Sequence, residues 1–203
     1  MDYDELAPKL QTGDVILFRG NGLISWLIEL LTNSVFSHIG TVFREPGSTG
    51  PNGLFIWQSF EPEGGVVLDA LEPFLVKYIS DDLKSTFVIR LLAVERTPAM
   101  IAALRAFMPK VMGHPFPSYV VWIGTWFLAK LGFPTSWSTF YCSELVAQSF
   151  MEMGLLPPKP YAPIYTPGRF STKSTLPLLL NASFGPELSV VLPPRLKALQ
   201  RKS

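Results

Sequence analysis

Short apolar runs separated by polar breaks dominate the first half of the chain, and their spacing predicts strands. Val15-Ile16-Leu17-Phe18 follows Gly13-Asp14 and stops at Gly20-Asn21-Gly22, which reads as a buried strand and a turn. Ser37 to Phe43 and Leu54 to Phe60 are rich in β-branched and aromatic residues and read as two more strands. The Gly/Pro/Ser composition of Glu45 to Gly53 between them is that of a loop. After the turn Glu61 to Gly65, Val66 to Leu68 is a fourth short strand, and the four in series suggest an antiparallel meander. Thr86 to Leu92 reads as a further strand, and Leu188 to Leu192 as the last.

Helical periodicity takes over in the second half. Glu72 to Tyr78 is compatible with a short helix. Thr97-Pro98 has the form of an N-cap followed by proline at the first helical position, and Ile101, Leu104, Met108 and Val111 then recur at helical spacing up to Gly113. Cys142 opens another helix that ends at Gly154. Its apolar stripe is Leu145, Val146, Phe150 and Met153, and Glu144, Gln148 and Glu152 are expected on the opposite, polar face. Two segments are apolar on nearly every side: Leu23 to Leu31, and Tyr119 to Phe133, whose one charge is Lys130. Neither reaches the roughly 20 apolar residues of a spanning helix. Both are therefore expected to be buried helices, with peripheral contact to a membrane or an acyl chain as the second reading. Pro157 to Pro167 holds five prolines and reads as an extended rim or lid.

Composition narrows the function classes. The chain has 203 residues, 48% of them hydrophobic and 16% charged, with a net charge of +1. The charged share is low against a norm of roughly 25%. One domain of α+β class over 1–203 is expected, with a core over about 11–192 and a basic tail from Arg195 to Ser203. No global field or basic stripe favours nucleic acid. The one cysteine excludes a disulfide framework, and with two histidines a structural zinc site is not expected. Met1 to Leu10 carries Asp2, Asp4, Glu5 and Lys9 and lacks the pattern of a signal peptide, so a cytoplasmic location is expected.

The candidate chemistry centres on Cys142. A helix start supplies N–H groups and a dipole that favour the thiolate. Such a nucleophile also needs a proton acceptor, and histidine is the usual one. His38, on the predicted second strand, is the candidate, and Gly40 removes a side chain from the same face of that strand. His114, in Gly113-His-Pro-Phe-Pro117, reads as a loop residue.

Four blocks carry a resemblance. Gly13-Asp-Val-Ile-Leu-Phe18, Ser37-His-Ile-Gly-Thr-Val42, Gly113-His-Pro-Phe116 and Tyr141-Cys-Ser-Glu-Leu-Val-Ala-Gln-Ser-Phe150 with Gly154-Leu-Leu resemble the circularly permuted NlpC-type papain-like cysteine hydrolases, the YiiX/YebB-like group. In that group the histidine strand precedes the cysteine helix, as here. The resemblance covers about residues 11–170 and implies an antiparallel sheet or small barrel packed on helices. The apolar 119–133 stretch would then be an insertion before the cysteine helix. It implies Cys142 as nucleophile, His38 as general base, and Tyr141 as an oxyanion or substrate contact. Where the group often has glutamate in the strand after the histidine, this chain reads Trp57-Gln58-Ser59. Gln58 is therefore the expected orienter of His38, its oxygen accepting an imidazole N–H as asparagine does in papain-like triads. Glu61 and Glu63 are the alternatives. Asp14 is read mainly as a turn residue accepting backbone N–H groups, with substrate contact as its second reading.

The implied activity is hydrolysis of an amide or ester through a thioester, on a peptide or acylated substrate including acyl-lipids, with no metal or organic cofactor required. Two other readings remain. One is acyl transfer between lipids, as in the related lecithin:retinol acyltransferase-type proteins, whose Asn-Cys-Glu-His-like block is absent here. The other is a non-catalytic binding module.

Overall fold

The computed structural model describes residues 1–19, 34–81, 86–133 and 138–199. The expected helix Leu23–Leu31 and the 134–137 segment lie outside the described residues.

The predicted meander forms. β1 (Val15–Arg19), β2 (His38–Arg44), β3 (Leu54–Phe60) and β4 (Gly65–Ala70) pair in sequence, all antiparallel. β5 (Thr86–Arg90) then joins the free side of β1, and β8 (Leu188–Ser189) pairs with β5, giving the order β4-β3-β2-β1-β5-β8. Of the expected sheet or small barrel, the sheet forms: among the described residues it stays open, with β4 and β8 as its edges. The expected strand 86–92 is split, because β6 (Leu92–Ala93) leaves the main sheet to pair with β7 (Ser183–Phe184). Arg90 holds that corner, donating to the carbonyls of Phe170 (2.6 Å), Gly185 (2.8 Å) and Phe184 (3.3 Å).

Strand alternation sorts the side chains onto two faces, and each face has its own core. One face carries Ile16, Phe18, Val42, Ile56 and Ile89, which pack with α1 (Tyr3–Leu6), α2 (Leu71–Asp81) and α6 (Pro194–Leu199). The other carries Val15, Leu17, Ile39, Phe43, Trp57 and Val88, covered by α3 (Pro98–Val111) and α5 (Cys142–Glu152). Thr97 caps α3, its hydroxyl accepting the Met100 N–H at 3.3 Å, and Gly113 follows the helix at φ +74°. α5 is pinned to β3 through Trp57, which is fully buried and donates its indole N–H to the Ser149 hydroxyl at 3.1 Å.

Three expectations change. Glu144 is not on a solvated face but buried, 3% exposed, while Gln148 and Glu152 do form the expected i, i+4 pair at 2.8 Å. Arg195 is not a loose tail residue. It forms ion pairs with Asp4 and, at 2.9 Å, with Glu72, and so ties α6 to α1 and α2. The third change concerns α4 (Tyr119–Lys130), which is helical as expected but not buried: Val121, Phe127 and Leu128 are exposed, as are Leu131 and Phe133 beyond it. Among the described residues no helix is long and apolar enough to cross a membrane.

Candidate active site

His38 opens β2, and its ring sits between Phe18 and Phe60 at centroid distances of 5.4 and 5.0 Å. One step beyond the last β2–β3 pair, Thr41↔Trp57, Gly40 comes to face Gln58, on the same side of the sheet as His38. A Cβ at Gly40 would lie 2.6 Å from Ile56 Cδ1 and 3.4 Å from Gln58 Cβ. The missing side chain therefore gives Gln58 room to reach diagonally across the strands. Its Oε1 lies 2.9 Å from His38 Nε2. Glu61 and Glu63 form an exposed turn, and Glu63 pairs with Lys77 at 2.5 Å. The residue in contact with the imidazole is Gln58.

Gln58 has a second partner that the sequence reading did not find. Its Nε2 donates to Asp69 Oδ2 at 3.2 Å. Val66–Leu68 was the expected strand, but β4 continues to Ala70 and brings Asp69 onto the Gln58 face. The period-two spacing of Val67 and Asp69 is the signal that locates it. Chemically this contact is directive. A carboxylate accepts only from the amide NH2, so the Gln58 oxygen must face the imidazole. The imidazole proton is then on Nε2, and Nδ1 keeps its lone pair. Burial pushes His38 down to about 4, against the Gln58 hydrogen bond, so the ring is neutral at pH 7.

Cys142 is the first residue of α5 and 6% exposed. The β2–β3 ladder ends at Thr41↔Trp57, so β3 no longer meets the Ile39 N–H. The backbone amides of Ile39, Ser143 and Cys142 itself favour the thiolate electrostatically. Burial outweighs these donors and pushes the thiol up to about 11. The resting site therefore holds a neutral thiol and a neutral imidazole. The structure joins His38 to Gln58 on the Phe18 face of the sheet, while Cys142 packs in the core of the opposite face, with Ile39 and Trp57. No hydrogen bond joins the sulfur to the imidazole.

The remaining expected residues have structural partners. The Tyr141 hydroxyl donates to the Pro163 carbonyl, tying the start of α5 to the proline-rich segment. Asp14 accepts from the N–H groups of Gln11 (2.8 Å) and Leu92 (2.9 Å) and from Arg96 (2.7 Å). His114 is held against β4 through its backbone, its carbonyl accepting the Val66 N–H at 2.9 Å, while its ring stacks on Phe140 at 6.2 Å.

Glu144 completes the local architecture. It is the third residue of α5, and its carboxyl accepts the N–H of the cap residue Tyr141. This is half of a capping box, and it fixes the turn that carries Cys142. Burial pushes its carboxyl up to about 8 from 4.5. Between those values the folded chain keeps a proton that the unfolded chain has lost, so stability falls as pH rises through that window. Glu144→Gln keeps an acceptor for Tyr141 and cannot ionise. Urea unfolding at pH 9 should show the variant more stable by on the order of 3 kcal/mol, with the difference vanishing near pH 5.

No family model matches the chain, and no curated protein matches it. Among solved structures the fold is similar to that of the metalloprotein YiiX from Escherichia coli O157:H7, with a TM-score of 0.51 and 21% identity. The match covers 71% of this chain and 66% of YiiX, just under two thirds of that protein's length. The chain thus has a YiiX-like α+β fold. YiiX is described as a metalloprotein. Here, among the described residues, no three His, Cys, Asp or Glu side chains converge as metal ligands, and the His38 nitrogen in contact faces an amide oxygen. The described residues do not fit a metal centre.

Proposed function

We propose, with the YiiX-like fold as premise, that the chain is a cysteine-dependent hydrolase acting on an amide or ester of an acylated or peptide substrate. The observation that carries this reading is the hydrogen-bonded series His38–Gln58–Asp69, which leaves Nδ1 as an acceptor at the start of β2, the strand against which the Cys142 helix packs. The thiol proton passes to Nδ1 as the sulfur attacks the carbonyl carbon. The amide of Cys142, at the first position of α5, meets the negative charge that develops in this reading. Collapse breaks the bond to the leaving amine or alcohol, which takes the proton back from His38. Water, deprotonated by the same nitrogen, then cleaves the thioester and restores the thiol. This reading requires the sulfur and the imidazole, which stand on opposite faces of β2 in the free chain, to come together when substrate binds.

Labelling by a thiol-directed acyl probe tests the assignment. Wild type should label and Cys142→Ala should not, and equal labelling of the two would remove Cys142 from the role. Product analysis with and without an added alcohol or amine separates hydrolysis from acyl transfer. The raised thiol and the missing sulfur–imidazole hydrogen bond favour one other reading, a binding module of the same fold. It requires Cys142 to react no faster than a buried structural thiol.

A further inference from the structure

α4 stands out among the described helices. Val121, Phe127, Leu128, Leu131 and Phe133 are 47–58% exposed along it and its C-terminal turn. Large apolar side chains grouped in this way mark an interaction surface. The one charged residue from Tyr119 to Phe133 is Lys130. Lys130 lies with its ammonium 3.9 Å from the centre of the Trp126 ring. A second such pair, Lys159 at 5.8 Å over Tyr161, caps the turn Ala162–Ile164, which packs against both α4 and α5. Aromatic rings paired with lysines beside an apolar face are the arrangement found at the headgroup level of bilayers.

We propose that α4 and residues 131–133 form a docking surface for an anionic lipid bilayer. Phe127, Leu128, Leu131 and Phe133 enter the acyl boundary, and Lys130 and Lys159 meet lipid phosphates and carboxylates. A helix of 12 residues is too short to span and lies in the plane of the interface. The surface also connects to the site. The turn that packs on α4 includes Pro163, whose carbonyl holds the Tyr141 hydroxyl beside Cys142. Docking does not depend on the thiol chemistry proposed above. The substrate class that follows from it, an acyl lipid, does rest on that reading.

Co-sedimentation of the full chain with vesicles tests this directly. The chain should bind phosphatidylcholine vesicles containing phosphatidylserine, bind pure phosphatidylcholine more weakly, and lose affinity as salt is raised. Phe127→Glu with Leu131→Glu, both exposed in the free protein, should weaken binding by at least about ten-fold. Lys130→Glu with Lys159→Glu should remove the preference for phosphatidylserine. The proposal is overturned if wild type stays in the supernatant with the anionic vesicles, or if the Phe127/Leu131 variant binds as wild type does. It is equally overturned if the chain is a dimer that this variant splits while vesicles go unbound. Cys142→Ser should bind vesicles as wild type does. Loss of docking thus leaves probe labelling at Cys142 intact, and loss of labelling leaves docking intact.

Discussion

Replacing His38 with Ala is expected to lower kcat/KM on an amide or ester substrate by about a hundred- to ten-thousand-fold, the usual worth of a positioned general base. The thiol rests protonated, pushed up to about 11 by burial, so no standing thiolate can compensate for the missing acceptor. Turnover by the variant should recover partly as pH rises towards that value. Wild type should instead show an acid limb near pH 4, where the buried imidazole takes a proton and can no longer accept one from sulfur. Steady-state rates across pH for the two proteins give the comparison. An unchanged rate in the variant at pH 7 would assign the base elsewhere.

Trp57→Ala is expected to cost about 3–5 kcal/mol of stability, the range for removing a large aromatic from a close-packed core. Trp57 is fully buried on the face that α5 covers, and its indole N–H holds the Ser149 hydroxyl. That hydroxyl donates in turn to the Leu145 carbonyl at 2.7 Å. Truncation therefore opens a cavity and loosens the helix that presents Cys142. Urea unfolding reads the loss. Trp57→Phe, which keeps most of the volume but not the N–H, should cost clearly less. Equal losses in the two variants would mean that the hydrogen bond, and not the packing, holds α5.

Much of this was legible in the chain because period and punctuation agree. β1 to β4 lie where apolar alternation and turn residues place them, and α3 begins at the Thr97-Pro98 cap. The His38–Gln58 contact was legible for a different reason: the family resemblance implied it, since Gln58 stands where that group often has glutamate. What was not legible depends on context beyond the local pattern. Glu144 reads as a surface residue because charge usually marks solvent, yet its carboxyl is turned back to the Tyr141 N–H. Asp69 escaped notice because β4 outlasts its apolar run, and only the register on β3 shows which side chain it meets. α4 misleads in the opposite direction. Its composition is that of a core helix, but Phe127 and Leu131 lie on the surface, since composition reports what a helix avoids and not what covers it.

The central claim is that Cys142 carries the acyl group. Rapid acid quench during turnover of an acyl ester, followed by mass spectrometry of the digested chain, measures it directly. The account predicts the acyl mass on the peptide containing Cys142, released by hydroxylamine as a thioester is. A peptide that stays unmodified through turnover, or turnover that persists in Cys142→Ser, would contradict it.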